Sequence, residues 1–334
     1  MKILGIESSC DETAAAVVEG GSKVLSSQVF SQIDKHKVFG GVIPEIAARE
    51  HLKVIGNMVR STLEESGLSL GEVDAVAVTQ GPGLIGALLV GASYAKGLAL
   101  ATGLPLVPVN HVHAHVHGAL LGLDVIDYPC LSLVVSGGHT HIYYMEGPCH
   151  FERLAYTLDD ACGECFDKVG KLFDLGYPGG PIIESLAKEG DGSLVKMPRM
   201  MNDKSKLLFS YSGLKTYMVN LKRQEFRMSE SRKRDVLAAF QEEALGQLVR
   251  KLQSALRLRP SSKAVLVAGG VAANQRFRSL LVENVAVQSY FPKLRYCSDN
   301  AAMIAAMGYH IYQNSKDTKE FELLDWDCFS RYAY

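Results

Sequence analysis

The chain opens with an apolar run, Lys2-Ile3-Leu4-Gly5-Ile6-Glu7. A small polar stretch follows, Ser8-Ser9-Cys10-Asp11-Glu12-Thr13, and then a second apolar run from Ala14 to Val18. Half a chain later the pattern returns as Cys130 to Val135, then Ser136-Gly137-Gly138-His139-Thr140, then His141 to Tyr144. Each unit reads as strand, turn, strand. The recurrence predicts two related lobes, against the simpler alternative of two unrelated hairpins. Ala75 to Val78 predicts a further strand, closed by Thr79-Gln80-Gly81-Pro82-Gly83, and Leu84 to Leu100 a helix rich in small residues. Leu104 to Val109 reads as a strand closed by Asn110. Ala264 to Ala268 reads as a buried strand followed by Gly269-Gly270-Val271-Ala272-Ala273-Asn274 and a helix. A last helix spans Asn300 to Asn314, with an acidic tail expected on the surface. Strands alternating with helices predict an α/β architecture with largely parallel sheets.

Composition narrows the class. The chain has 334 residues, 47% hydrophobic and 21% charged, enough for a packed core and against general disorder. A net charge of −1 excludes a uniformly basic nucleic-acid binder. Locally the balance differs: from Lys196 to Asp235, eleven Lys/Arg stand against four Asp/Glu, leaving +7. Such a segment is a footprint for a polyanion or, more plainly, a solvated helix face. Seven cysteines and a start that reads as a strand predict a reducing, cytoplasmic setting without a disulfide framework. A long uncharged stretch, Ala75 to Ala95, contains Thr79 to Gly83 and predicts strand, turn and helix rather than a membrane span.

The most informative chemistry lies in Asn110-His111-Val112-His113-Ala114-His115-Val116-His117. Asn110 suits a helix N-cap, and on a helix the four imidazoles split into two i,i+4 pairs, His111/His115 and His113/His117. Either pair can grip one metal ion from a single face. Asp299, just before the last helix, is the candidate third ligand. Two histidines and one carboxylate leave open positions, which suits catalytic Fe2+ or Zn2+. Cys162 and Cys165 form one thiol pair with no second pair to complete a four-cysteine zinc site, so packing explains them better.

Glycine turns are the second theme. Ser136-Gly137-Gly138, Gly179-Gly180-Pro181 and Gly269-Gly270 each allow close backbone approach to a phosphate and together predict a nucleotide cleft. No Gly-x-x-x-x-Gly-Lys-Ser/Thr run exists, which excludes a P-loop enzyme. Asp11 and Glu12 in the first polar turn are candidate acid/base groups or turn caps. Asp159, Asp160, Glu164 and Asp167 offer carboxylates for a ribose hydroxyl, or a solvated acidic helix start.

These motifs occur in an order that resembles one family. Glu7-Ser8-Ser9-Cys10-Asp11-Glu12-Thr13, Gly40-Gly41-Val42-Ile43-Pro44-Glu45, Gly81-Pro82-Gly83-Leu84 and Asn110 to His115 come first. Ser136 to Thr140, Phe166-Asp167-Lys168, Gly176-Tyr177-Pro178-Gly179-Gly180, Ser210-Tyr211-Ser212-Gly213-Leu214-Lys215-Thr216 and Gly269 to Asn274 follow. From Lys2 to about Tyr309 the chain is similar to the TsaD family of tRNA threonylcarbamoyladenosine transferases. The resemblance implies an actin-like ATPase (ASKHA) fold, with two ribonuclease-H-like lobes around a nucleotide cleft. The lobes are expected at 1–105 plus 300–334 and at 106–299, the latter carrying most nucleotide and metal contacts. It implies His111, His115 and Asp299 as ligands of one divalent metal per subunit, Fe2+ favoured over Zn2+. It implies Val134, Val135, Ser136, Gly137, Gly138, Asp167, Gly180, Glu184 and Asn274 as the adenylate site of threonylcarbamoyl-AMP. Its implied partners are tRNA and TsaB-like and TsaE-like proteins, with no membrane. His113 and His117 are imidazoles beyond the family ligands, and Cys162 and Cys165 stand where the family often carries alanine.

The implied reaction moves threonylcarbamoyl from threonylcarbamoyl-AMP to the N6 amine of the adenosine 3′ of the anticodon, in tRNAs reading codons that begin with A. The donor is a mixed anhydride with a good leaving group. The amine is weakened by delocalisation into the ring. Catalysis therefore rests on positioning, charge stabilisation and removal of one proton, for which Asp11 and Glu12 are candidates. The base lies in an anticodon loop, accessible without opening a duplex, and the basic segment would receive the phosphates. A zinc peptidase is disfavoured because Val112 follows His111 where that motif needs glutamate. A sugar kinase or ATP-driven chaperone would have no use for the histidine pair. A non-catalytic scaffold would not need the metal triad and adenylate turns.

Overall fold

The computed structural model describes residues 1–123, 126–203, 206–315 and 317–331. The chain begins with β1 (Lys2–Glu7), β2 (Glu12–Glu19), β3 (Lys23–Ser31), α1 (Ile33–Lys37), α2 (Pro44–Ser66), β4 (Ala75–Gly81), α3 (Ile85–Thr102), β5 (Leu106–Asn110) and α4 (His111–Gly118). It continues with β6 (Cys130–Val135), β7 (Thr140–Gly147), β8 (His150–Thr157), α5 (Cys162–Leu172), α6 (Gly179–Ala187), β9 (Leu208–Phe209), α7 (Ser212–Gln224) and α8 (Glu230–Leu258). It closes with β10 (Ala264–Ala268), α9 (Gln275–Asn284), β11 (Gln288–Tyr290) and α10 (Ala301–Asn314).

Two compact units result. One comprises Met1–Ile126, Gly147–His150 and Pro292–Tyr334, the other Asp127–Glu146 and Phe151–Phe291. This differs from the expected division at 105/106 and 299/300. β5 pairs in parallel with β4, and α4 follows it without a linker, so both stay with the first sheet. α10 packs on β1, β2, β4 and α4 and keeps residues 292–299 with it. The histidines and Asp299 therefore belong to the first unit, and the glycine turns at 136–138, 179–180 and 269–270 to the second.

The first sheet has the order β3-β2-β1-β4-β5. β1–β2 and β2–β3 are antiparallel, whereas β1–β4 and β4–β5 are parallel. The second sheet runs β11-β10-β6-β7-β8-β9. Read from β8 to β11 it repeats the arrangement of the first, with β6–β7 antiparallel and β6–β10 and β10–β11 parallel. The two recurring hairpins are thus the first two strands of two sheets of the same topology. The sheets are mixed rather than largely parallel, because turns as short as Ser8–Asp11 can join only antiparallel neighbours. Glu12 and Thr13 are already in β2, and β4 runs on to Gly81, past the turn expected at Thr79.

Helices cover both faces of the first sheet, which explains why its central strands are apolar throughout. Alternation along β1 sends Leu4 and Ile6 into a cluster with Ile55 and Val59 of α2 and Ala95 and Ala99 of α3. Ile3, Gly5 and Glu7 take the opposite face, where α10 lies: a Cβ on Gly5 would sit 2.3 Å from the Ala301 carbonyl oxygen. α3 is long and apolar enough to cross a membrane by length and composition alone. Here its small residues serve close packing on α2 and β4; Gly91 leaves room for Ser8, whose hydroxyl donates to the Ala87 carbonyl at 2.9 Å.

The acidic tail is pinned to the first unit. The Lys96 ammonium lies 4.2 Å from the Trp326 ring centroid and donates to the Trp326 carbonyl at 2.5 Å. Gln80 donates its side-chain amide to the Asp327 carbonyl at 2.9 Å, and the Phe329 N–H donates back to the Gln80 carbonyl. Trp326 is the sole tryptophan, so its emission reports this docking directly. Lys96→Ala is expected to shift the emission to the red and increase iodide quenching, with a stability loss of only about 0.5–1 kcal/mol. An unchanged spectrum would mean that Gln80 and Phe329 hold the tail without Lys96.

Candidate active site

Asn110 ends β5 and caps α4, its side-chain oxygen accepting the N–H groups of Val112 at 3.0 Å and His113 at 3.1 Å. The helix therefore starts at His111, and His111 and His115 fall one turn apart on one face. Asn300 caps α10 in the same way, accepting the Met303 N–H at 3.0 Å, which fixes the residue before it, Asp299. The ligand atoms of His111, His115 and Asp299 lie within 4.8 Å of one another. Asp299 Oδ1 is 3.6 Å from His111 Nε2 and 3.2 Å from His115 Nε2.

The donor set suits a divalent metal. His115 is 1% exposed, and among the described residues neither of its ring nitrogens has a hydrogen-bond partner. The 3.2 Å approach of Asp299 is close enough for a hydrogen bond but is not aligned as one. Orphaned polar atoms in a protein interior cost about 1–3 kcal/mol each and are rare. His111, His115 and Asp299 would together hold a cation, which would give one of the orphaned His115 nitrogens a partner.

His111 is oriented from behind. Its Nδ1 lies 3.0 Å from Oε2 of the fully buried Glu7 and 3.1 Å from the Ser9 hydroxyl. Burial alone would push this imidazole down, but the Glu7 and Asp299 carboxylates outweigh it and lift the pKa to about 9. Burial would likewise raise Glu7; the facing His111 charge and hydrogen bond instead hold it below the usual carboxylate range.

The second histidine pair is built differently. Burial pushes His113 down to about 4 and His117 down to about 3. His117 Nε2–H donates to the Pro148 carbonyl at 3.0 Å, and its ring packs 5.0 Å from that of His310 on α10. Among the described residues, the three-ligand cluster is His111, His115 and Asp299, without His113 or His117. Cys162 and Cys165 are buried free thiols, both raised by burial, Cys162 to about 12.

Asp11 closes the first turn and Glu12 opens β2. Burial first, then the negative potential of Asp299 and Asp11, push Glu12 up to about 10, and the Ser31 hydroxyl donates to it at 3.2 Å. Glu12 is thus a neutral acid at physiological pH rather than a ready base. A cation at the three ligands would offset the Asp299 contribution and draw it back down.

In the second unit the expected nucleotide residues form a closed ring of contacts. Val134 and Val135 end β6, and Ser136, Gly137 and Gly138 make the turn, with Ser136 N–H donating to the His139 carbonyl at 2.8 Å. At the neighbouring end of β10, Gly269 has φ +91°, and a Cβ there would lie 2.4 Å from the Val135 carbonyl oxygen. Gly163 of α5 packs on Ser136 and Gly137 from the other side. Asp167 of α5 accepts the Gly179 N–H at 2.8 Å at the start of α6, next to Gly180. Glu184 of α6 accepts the Gln275 N–H at 3.0 Å, and Asn274 accepts the Phe277 N–H at 2.9 Å while donating to Gln241 at 2.9 Å. A Cβ on Gly137, Gly138 or Gly180 would meet nothing within 4 Å, so these backbones face open space. Turns at the carboxyl ends of adjacent parallel strands are where α/β sheets hold phosphates. A cavity of about 300 Å³ adjoins the ring, lined in part by Glu184, Gln241 and Gly192.

Other candidates have structural duties. Asp159 accepts the Tyr211 N–H at 2.7 Å and the hydroxyls of Ser210 and Ser212, anchoring the start of α7. Asp160 pairs with Lys168 and, at 2.7 Å, with Lys215; Glu164 also pairs with Lys168, at 2.9 Å. These contacts give all three acids structural partners. The basic segment is partly neutralised: Lys215, Lys222, Arg232, Lys233 and Arg234 all sit in ion pairs. Lys196, Arg199, Arg223 and Arg227 are exposed, and residues 204 and 205 lie outside the described residues.

Glu7 and Thr79 escaped the sequence reading as site residues. The available signal was an acid at the end of an otherwise apolar central strand, which folding must bury against a partner.

Comparison with known proteins agrees with this geometry. Residues 23–306 match the family model TsaD, tRNA N6-adenosine threonylcarbamoyltransferase. A tRNA N6-adenosine threonylcarbamoyltransferase of Fusobacterium nucleatum is 44% identical over 334 residues, covering 99% of this chain and 95% of its own. Among solved structures, the Acidaminococcus fermentans (R)-2-hydroxyglutaryl-CoA dehydratase component A is similar in fold, with a TM-score of 0.55 at 14% identity. It covers 94% of this chain and 100% of its own. A ROK hexokinase from Thermus thermophilus has a TM-score of 0.54 at 15% identity, over 94% and 100% of the two chains. The fold is the actin-like one.

Proposed function

This chain belongs to the TsaD family and transfers a threonylcarbamoyl group to the N6 amine of a tRNA adenosine; from that premise we propose how its residues divide the work. His111, His115 and Asp299 hold one divalent metal, Fe2+ in preference to Zn2+. Val134 to Gly138, Asp167, Gly180, Glu184 and Asn274 hold the adenylate of threonylcarbamoyl-AMP. The single observation that carries the metal assignment is the buried His115 imidazole, with both nitrogens unpartnered beside Asp299.

A bound cation supplies a Lewis acid at the carbamoyl carbonyl or a grip on the threonyl moiety. The chain's own residues do the rest. Backbone N–H groups of Gly137 and Gly138 receive the phosphate as negative charge moves onto the departing AMP. Asp11 takes up the proton lost by the N6 amine, with the neighbouring Glu12 as the alternative acceptor once a cation offsets the Asp299 charge. The exposed cations Lys196, Arg199, Arg223 and Arg227 contact phosphates flanking the anticodon loop. TsaB-like and TsaE-like proteins complete the system in the cytoplasm, with no membrane involved.

The test is transfer of labelled threonylcarbamoyl from threonylcarbamoyl-AMP to unmodified tRNA, with those partners present. Wild type is expected to label the tRNA and to stop when a chelator strips the metal. Asp11→Asn is expected to lower kcat by about 10²–10⁴-fold. A double reversal, Arg223→Glu/Arg227→Glu, should raise the tRNA KM and flatten its salt dependence with kcat little changed. Transfer that survives Asp11→Asn, or tRNA binding that survives the reversals, removes the corresponding role.

A further inference from the structure

We propose that Glu7 is a positioning residue for the metal centre: its buried carboxylate holds the Nδ1–H of His111 and so directs the unprotonated Nε2 of that ring at the position shared with His115 and Asp299. The inference rests on the metal reading above. It assigns a role to a residue that touches neither the ion nor a substrate.

The geometry is specific. Glu7 ends β1, and Thr79 stands beside it near the end of β4, one step beyond the parallel Ile6–Val78 pair. Thr79 donates its hydroxyl to Glu7 Oε2 at 2.7 Å. The Ser9 N–H donates to Oε1. His111 Nδ1 meets Oε2 at 3.0 Å. Three groups thus converge on one carboxylate with no exposure to solvent, and Glu7 cannot rotate without abandoning at least one of them. The opposite nitrogen of the same ring, Nε2, faces Asp299 Oδ1 at 3.6 Å.

An imidazole ligates through one nitrogen only when the other carries the proton, and an acceptor behind the ring decides which. His115 has no such acceptor on Nδ1. Among the described residues, of the two imidazoles only His111 is held from behind by a carboxylate, and Glu7 supplies it. The Ser9 hydroxyl, 3.1 Å from the same Nδ1, can share that proton but carries no charge.

Glu7→Gln separates this role from packing, because the amide keeps the shape. Its NH2 must face either the Ser9 N–H, donor against donor, or His111 Nδ1, which would drive the ring proton onto Nε2 and block ligation. Zinc affinity, measured by competition with a chromophoric chelator, is expected to fall about 10–100-fold in Glu7→Gln. Thr79→Val, which loosens Glu7 without touching His111, should give a smaller loss. Thr62→Val, a buried control whose hydroxyl donates to the Ala15 carbonyl, should leave the affinity unchanged. Equal zinc affinity in wild type and a folded Glu7→Gln would overturn the proposal. A second measurement needs no variant: 15N NMR of histidine-labelled, zinc-loaded wild type is expected to show His111 bound through Nε2 with a protonated Nδ1. Ligation through Nδ1 would overturn it whatever happens to the variant. Wild type that binds no zinc, iron or cobalt would instead overturn the metal reading beneath it.

Discussion

His115→Leu is expected to abolish both stabilisation by divalent metal and threonylcarbamoyl transfer, while the metal-free protein stays at least as stable as wild type. The reasoning starts from the unpartnered ring. Both nitrogens of His115 are buried without a hydrogen bond, so in the metal-free protein the side chain supplies packing and a penalty of about 1–3 kcal/mol per orphaned atom. Leucine keeps most of the volume and removes the penalty. A ligand that binds the folded state at 100 times its Kd stabilises that state by about 2.7 kcal/mol. Wild type should therefore show a clear rise in Tm with Zn2+ or anaerobic Fe2+, and His115→Leu should show none. His113→Leu, on the other pair, should still show the rise. A metal-dependent rise that persists in His115→Leu and vanishes in His113→Leu would move the site to the second pair.

Gly5→Ala should be the most damaging single methyl in the first unit. The added Cβ would meet the Ala301 carbonyl oxygen at 2.3 Å, the Ala305 nitrogen at 2.8 Å and the Ala305 Cβ at 2.9 Å. The first two are helix backbone and cannot turn aside as a side chain can, so α10 must lift from β1. Overpacking of this kind costs about 1–3 kcal/mol, here toward the upper end, and Tm should fall by several degrees. The same displacement moves Asp299, which lies two residues before α10, away from His111 and His115. Metal affinity should fall together with stability, although Gly5 is no ligand. Gly97→Ala is the matched control: it lies in α3 with nothing within 4 Å, and alanine there should be neutral or stabilising by up to about 1 kcal/mol. A stable Gly5→Ala with unchanged zinc affinity would show that α10 and Asp299 are not carried together.

These expectations mark where the sequence was legible. The hairpins at 2–18 and 130–144, the strand at Ala264–Ala268 and the last helix could be read because each is a continuous apolar run bounded by polar or glycine-rich turns. The i,i+4 histidine pairs could be read because Asn110 announces a helix start. Periodicity could not choose between the two pairs, since each is equally spaced. The choice lies in Asp299, brought from 184 residues away by α10. The Asp159, Asp160 and Glu164 carboxylates read either as sugar ligands or as an acidic helix start; their partners Ser210, Ser212, Lys168 and Lys215 are remote enough in sequence or so ordinary that no local pattern marks them.

By itself the sequence determined the repeated sheet motif, the cap that starts α4, the family and the inventory of groups able to do chemistry, because these depend on local spacing and the ordered succession of motifs. The tertiary structure decided which unit holds the histidines, which pair meets a carboxylate, which acids remain uncommitted, and that Glu7 stands behind His111. Those outcomes depend on contacts between strands and helices far apart in the chain. Burial then changes the chemistry of the side chains it brings together, raising the Glu12 carboxyl above its ordinary range, leaving His115 without a hydrogen bond among the described residues and holding His111 from behind.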